Sequence, residues 1–426
     1  MVEPLPVYPE PDVPPASRFA ALRLGGSLYA FAFPNFRLFF FGQLVSVAGT
    51  WMQTVAQQWL VYNLTHSAVW LGIVSGATAL PYAAFALWGG SIADRVPRRT
   101  ILLRTQTVAM CLALMLAGLA TNRVVAIAPW HIAVFAALGA VVQAFNMPAQ
   151  QAFASETVGD PKALPNAIAL NSLRFNTARF LGPLLAGITL VHLGAAWCFF
   201  LNGVSFIAVL ASLLRMRIAP RQPGTSVNAS GSPLDGARFL TAMPSLLRTV
   251  LLVGAASLSV LAVSTLFPVL ADVYKRDAGG FSTLVTANGL GAMGGGLLVV
   301  TLAARMPGKL RVYGGAVVLS LALLCLSFAP VFVSALTCLF FAGVGMVTFL
   351  VSANTKIQTE TPDHLRGRVM AMYLLVANTL IPVGGLLLGL LAQRYSVLPT
   401  IRFAAVATLA VTAILWAWQE QSRAAR

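Results

Sequence analysis

Two arginines, Arg174 and Arg179, stand in a stretch whose other residues are apolar or uncharged, with Asn171 one helical turn before the first. A guanidinium does not surrender its proton, so such residues do no acid–base chemistry. They can hold an anion or a carbonyl oxygen of a ligand, or bond backbone carbonyls. Upstream, Gln43, Ser46, Thr50, Gln53 and Gln57 recur at steps of three and four, and Gln143, Asn146 and Gln150 repeat that spacing. In a helix each set falls on one face. Lipid penalises a polar stripe, so it must meet protein or water. Two readings stand: a substrate cavity lined by these residues with Asn171, Arg174 and Arg179, or hydrogen bonds between helices. A locally positive cavity of this kind favours an anionic or carbonyl-rich substrate.

Groups suited to covalent chemistry are scarce. Glu156, Asp272 and Glu360 fall near the ends of apolar runs, and Asp94 lies in a polar break. The histidines (His66, His131, His192, His364) are scattered, and Cys111, Cys198, Cys325 and Cys338 sit inside apolar runs without Cys-x-x-Cys spacing. No metal site, cofactor or enzymatic activity is expected from this inventory. The chain also lacks a Gly-x-x-x-x-Gly-Lys-Ser/Thr sequence, so ATP is not a direct energy source. Were protons to drive a process here, Glu156, Asp272, Glu360, Asp94, His131 and His192 would be the carriers.

The elements that must position these residues follow from composition. Of 426 residues 58% are hydrophobic and 9% charged, whereas soluble chains carry about 25% charged residues. With a mean hydropathy of +0.81 the chain is an all-α integral membrane protein. A crossing needs about 20 apolar residues. Twelve such runs are expected, near 36–62, 67–93, 100–120, 130–153, 164–191, 195–216, 246–272, 281–304, 311–328, 330–355, 366–393 and 398–419. The polar stretch 217–245 reads as a cytoplasmic linker between two six-helix bundles, 36–216 and 246–419. Residues 1–35, rich in proline, read as a flexible cytoplasmic tail rather than a cleaved signal peptide, and 420–426 as a C-terminal tail.

Charge fixes an orientation. Arg123, Lys275, Arg276, Arg394 and Arg402 fall on one side, Arg174 and Arg179 within span five, and the rest of the 28 basic residues on the side of the termini. Both termini are therefore expected in the cytoplasm. The net charge of +16 is that bias, not a nucleic-acid surface. An offset of about 204 residues relates Glu156-Thr157 to Glu360-Thr361, and Ala167 and Leu170 to Ala371 and Leu374. Such a repeat suits a transporter with its site between two bundles.

Between spans two and three, Gly89-Gly90-Ser91-Ile92-Ala93-Asp94-Arg95-Val96-Pro97-Arg98-Arg99 resembles the signature loop of the major facilitator superfamily. A small residue at Gly90 suits close helix approach, and Asp94 suits charge-assisted hydrogen bonds. The resemblance implies a conformational gate at Gly90, Asp94, Arg95, Arg98 and Arg99, latching against span eleven. It extends to Asn35-Phe36-Arg37-Leu38, Gly42-Gln43-Leu44-Val45-Ser46, Trp59-Leu60-Val61-Tyr62, Phe267-Pro268-Val269-Leu270-Ala271-Asp272 and Pro362-Asp363-His364-Leu365-Arg366-Gly367-Arg368-Val369. These segments are similar to the drug and siderophore exporters of that superfamily. Gly182-Pro183-Leu184-Leu185-Ala186-Gly187 resembles the antiporter motif, with Ala186 in place of a glycine. The resemblance implies a monomeric secondary transporter of the cell membrane that exports a small organic molecule by alternating access, with a bend at Gly182, Pro183 and Gly187. An importer or lysolipid flippase of the same fold stays open.

Overall fold

The computed structural model describes residues 28–121, 126–158, 160–216, 234–302 and 306–424, and every regular element among them is helical. The first half comprises α1 (Pro34–Thr65), α2 (Ala68–Gly76) and α3 (Ala79–Arg95), α4 (Arg98–Ala120), α5 (Pro129–Glu156), α6 (Leu164–His192) and α7 (Ala195–Arg215). The second comprises α8 (Leu234–Ala242), α9 (Pro244–Leu258) and α10 (Phe267–Val273), α11 (Ala278–Leu302), α12 (Gly308–Leu326), α13 (Phe332–Glu360), α14 (Asp363–Tyr395) and α15 (Val397–Ala424). Counting α2 with α3 and α9 with α10 as single crossings, this is a twelve-helix membrane fold of two six-helix bundles.

Among the described residues, nine crossings are long and apolar enough to span a bilayer by length and composition. Helices α1, α6 and α11 are not among them, although they run for 32, 29 and 25 residues. Amides and arginines dilute the first two. All three lie where the halves meet: α6 packs along α11, and α1 reaches α10 and α11. Apolar side chains such as Leu80, Trp88, Leu297, Phe403 and Ile414 instead point outward, as lipid-facing groups do.

Two crossings are broken rather than continuous. Between α2 and α3 the chain turns at Ala77–Thr78, where Pro81 leaves the Ala77 carbonyl without its helical donor. The seventh crossing unwinds between Leu258 and Phe267 through a 3₁₀ turn, Ala262–Leu266. Pro268 follows that turn, and the Ser259 hydroxyl donates to the Ala255 carbonyl at 2.6 Å, a local bond that competes with the helical ladder.

Part of the expected linker, 217–233, lies outside the described residues, as do 1–27 of the expected tail. The linker's remainder is helical: α8 packs on α14, where a β-carbon at Gly236 would stand 3.0 Å from the Arg368 carbonyl. Tail residues Tyr29–Ala32 form a 3₁₀ turn held to the base of α6. The Tyr29 hydroxyl donates to Asp160 at 2.8 Å and the Ala30 N–H to Asn166 at 2.8 Å. The Lys162 N–H and the Tyr29 hydroxyl keep the Asp160 carboxylate below its usual range. At the other terminus α15 continues to Ala424, so most of the expected C-terminal tail extends the last helix.

One apolar core runs through both halves, from Met52, Val55 and Tyr62 of α1 to Leu266, Phe267, Phe281 and Leu284. A separate core of Phe39, Leu102, Phe153, Phe206 and Leu213 belongs to the first half alone. The halves thus share a core at the end carrying His66 and Lys275. The repeat has a structural counterpart: Glu156 and Glu360 are the last residues of α5 and α13, and the following threonine hydroxyls return to Ala154 and Ile357 carbonyls.

Candidate functional site

The two amide stripes meet each other and their neighbours. Gln106 Nε2 donates to Asn146 Oδ1 at 3.2 Å, Asn146 Nδ2 to Gln150 Oε1 at 3.3 Å, and Gln150 Nε2 to Gln43 Oε1 at 3.1 Å. Thr105 also donates to Asn146 Oδ1, and Asn146 Nδ2 to the exposed Gln143. This chain of amides joins α4, α5 and α1 and points every donor the same way. It ends at Gln43 Nε2, which is buried and has no acceptor. Elsewhere on α1, Gln53 accepts from Asn202 of α7 at 2.7 Å, while the Thr50 hydroxyl returns to the Ser46 carbonyl of its own helix. Gln57 and Asn171 are half-buried. Thus Gln43, Asn146 and Gln150 form one network, and Gln53 belongs to a different contact.

The arginines take separate positions. Arg174 is only 3% exposed, with its guanidinium 5.6 Å from the Phe39 ring centroid. Its Nε and Nη1 are buried without a hydrogen-bond partner. Arg179, one and a half turns on, lies 5.3 Å from the Trp51 ring and donates from Nη2 to Met346 Sδ of α13 at 3.2 Å. That contact crosses between the halves.

In the loop motif, Asp94 and Arg95 occupy the last turn of α3, with side chains outside the described residues, as are the surroundings of Gly90. The close backbone approach lies at Gly89, where a β-carbon would meet the Ala144 carbonyl of α5. Arg98 Nη1 pairs with Glu156 at 2.6 Å and with the Ala152 carbonyl at 3.2 Å. Arg99 donates to the Leu214 carbonyl at 3.0 Å. Both arginines therefore fasten the start of α4 to α5 and α7 within one half. Helix α3, which carries the motif, packs on α14.

The three candidate coupling carboxylates are not gathered. Glu156 serves Arg98, and Glu360 accepts from the Ser245 hydroxyl at 3.1 Å. Asp272 stands at the opposite end, accepting from the Tyr62 hydroxyl at 2.8 Å across the two halves. Around it the halves interlock. Trp59 stacks on Phe281 with centroids 5.8 Å apart, and Ser67 donates to Gln393 at 3.4 Å.

Two glycine-lined crossings extend this closure. Between α2 and α14, a β-carbon at Gly72 would lie 2.9 Å from the Gly385 carbonyl, and one at Gly389 2.5 Å from the Ala68 carbonyl. Between α6 and α11, one at Gly187 would lie 2.8 Å from Ser282 Cβ, and one at Gly289 3.0 Å from the Arg179 carbonyl. Gly182 faces inward to α1, against Trp51 and Ala48. Pro183 is buried within α6, which remains one helix from Leu164 to His192. Sequence reasoning missed Tyr62, Thr105, Gln106, Asn202, Gly72, Gly289, Gly385 and Gly389. Their signal, a polar or small residue in an apolar run, is too common to single out.

Residues 26–424 match the family described as transmembrane secretion effector. The staphyloferrin A transporter of Staphylococcus aureus (strain NCTC 8325 / PS 47) is 24% identical over 396 residues, 89% of this chain and 95% of that one. The enterobactin exporter EntS of Escherichia coli O1:K1 / APEC is 26% identical over 363 residues, 84% of this chain and 85% of that one. Among solved structures, a bacterial homolog of the human lysosomal transporter Spinster, inward-facing and unoccupied, has a TM-score of 0.70 at 15% identity, covering 92% of this chain and 96% of that one. A POT family transporter in complex with 5-aminolevulinic acid has a TM-score of 0.72 at 10% identity, covering 91% and 96%. These two likenesses carry the fold.

Proposed function

Because the chain belongs to the transmembrane secretion effector family of the major facilitator superfamily and exports a small organic molecule, we propose that its cargo is a siderophore-type, oxygen-rich chelator released from the cytoplasm. The names of the staphyloferrin A and enterobactin relatives support this cargo class. The protein works as a monomer in the cytoplasmic membrane with both termini inside. Its halves, 36–216 and 246–419, rock about a site between them, joined by the 217–245 linker.

The observation that carries the alternating-access reading is where the halves touch. Their shared core, the Tyr62–Asp272 bond and the two glycine-lined crossings lie towards one end, and the basic residues cluster at the other. With the basic end inside, the closed end faces outward and the space between the halves opens to the cytoplasm, and the enterobactin exporter relative supports loading from that side. Opening requires the Tyr62–Asp272 and Arg179–Met346 contacts to part. Asp272 is the carboxylate best placed to couple that parting to a proton, since a protonated carboxyl accepts more weakly than a carboxylate.

Inside-out vesicles test the direction: they accumulate cargo found in a metabolite-release screen of a deletion strain. An importer or flippase leaves them empty. A pH jump across proteoliposomes that leaves flux unchanged removes proton coupling while leaving export intact.

A further inference from the structure

The unused donors around Phe39 are the feature neither the loop motif nor the gate accounts for. Arg174 contributes Nε and Nη1, and Gln43 contributes Nε2, all buried and all without an acceptor. Arg174 sits 5.6 Å from the Phe39 centroid, and Gln43 is one turn further along the same face of α1. On α5, Gln150 reaches Gln43 while Phe153 packs on Phe39 with centroids 5.3 Å apart. Two helices, α5 and α6, thus converge on one turn of α1.

The amide chain explains why Gln43 presents a donor there. Each amide from Gln106 through Asn146 and Gln150 donates onward, so Gln43 Oε1 is occupied and its N–H₂ is the free end. Bonds aligned in this way polarise one another, which strengthens the terminal donor. Arg174 lies about 15 Å along α6 from its first residue at 1.5 Å per residue, too deep for a lipid headgroup. Water could accept from these N–H groups but could not neutralise a guanidinium in hydrocarbon, where an uncompensated charge is expensive.

We propose that Arg174 and Gln43, beside Phe39 and Phe153, form an oxyanion-binding subsite that takes a carboxylate or phenolate group of the cargo. The subsite rests on the export reading for its purpose, not for its existence. An oxyanion accepts a charge-assisted hydrogen bond from one of these Arg174 donors and a second bond from Gln43, while the two rings line its flank. Access follows from rotation of the long arginine stem, since the guanidinium is nearly covered in this conformation.

The test uses the full chain in nanodiscs, with thermal unfolding followed by tryptophan fluorescence, and benzoate, citrate and the lipophilic cation tetraphenylphosphonium as probes. An oxyanion at about ten times its dissociation constant raises the midpoint of the wild type by roughly 1–3 °C, and the cation does not. Arg174→Met abolishes that shift. Its unliganded midpoint equals or exceeds that of the wild type, because an unpaired buried charge has been removed. Gln43→Leu, which keeps the arginine, weakens benzoate binding about 5-fold, a fraction of one hydrogen bond to a charged group. The proposal is overturned if neither oxyanion shifts the wild type, if the shift survives Arg174→Met, or if Arg174→Met lowers the unliganded midpoint by several degrees. If Arg174→Met does not fold, an unchanged benzoate affinity in Gln43→Leu overturns it as well. Binding in nanodiscs has no direction, so this result stands apart from the vesicle assay.

Discussion

In the first half, Gln43, Gln53, Gln106, Asn146, Gln150 and Asn202 bond side chain to side chain across α1, α4, α5 and α7. Among the described residues of the second half, the buried polar ones are serines and threonines, apart from Arg248, Lys356 and Gln419. Thr249, Thr361, Thr400, Thr408 and Thr412 each return a hydroxyl bond to their own helix. A hydroxyl can be satisfied four residues back, but an amide has more valences than its own turn can fill. Amides therefore fix one helix against another. The second half relies on backbone laid against glycine, as where α11 and α13 meet at Gly291, Gly295 and Gly343. The first half thus joins its helices through a run of amides, and the second through glycine contacts with single bonds such as Asn288 to the Leu339 carbonyl and Lys356 to Thr249.

The largest expected effect strikes the glycine side of this contrast. A β-carbon at Gly291 would stand 1.8 Å from the Phe340 carbonyl oxygen, whereas nothing lies within 4 Å of one at Gly118. Gly291→Leu costs about 3 kcal/mol by overpacking, seen as lost monodisperse protein, and Gly118→Ala leaves the unfolding midpoint unchanged. Next comes the amide side. Asn146→Leu strands Gln106 and Gln150 and costs about 2 kcal/mol, measured by denaturation in mild detergent. Equal tolerance of Asn146→Leu and Ser320→Ala would erase the distinction between the halves, because Ser320 is buried without a partner.

A smaller effect concerns the bond that joins them. Tyr62→Phe removes the donor to Asp272 and shifts the balance towards separation of the closed end by about 1.4 kcal/mol, or tenfold. Spin labels at Ser67 and Gln393 would report the longer distance. The smallest is Thr412→Val, whose hydroxyl serves only the Thr408 carbonyl of its own helix. It changes stability by less than about 0.5 kcal/mol, and a larger loss would show that a hydroxyl bonded within its own helix counts for as much as an amide bonded between helices.

The sequence made the twelve crossings legible because apolar runs of the needed length recur between charged and proline-bearing breaks. It also located the polar faces of α1 and α5, since 43, 50, 53, 57 and 143, 146, 150 keep a helical period. It did not reveal that Gln53 turns to Asn202 while Gln43 turns to Gln150, because both lie within one broad stripe. Nor could it find the breaks in the second and seventh crossings, where Pro81 and Pro268 sit inside otherwise unbroken apolar runs.

Residue type, spacing and charge by themselves determined that this chain is helical, membrane-embedded and built as two related halves. Lipid imposes that outcome, since every backbone group must be satisfied within a segment and every charge must be accounted for. Which amides meet, which glycines let the halves close, and that Arg98 meets a carboxylate while Arg174 meets the Phe39 ring were decided only by the tertiary structure. Partners such as Tyr62 and Asp272 lie 210 positions apart, and no local period records which helix will stand beside which.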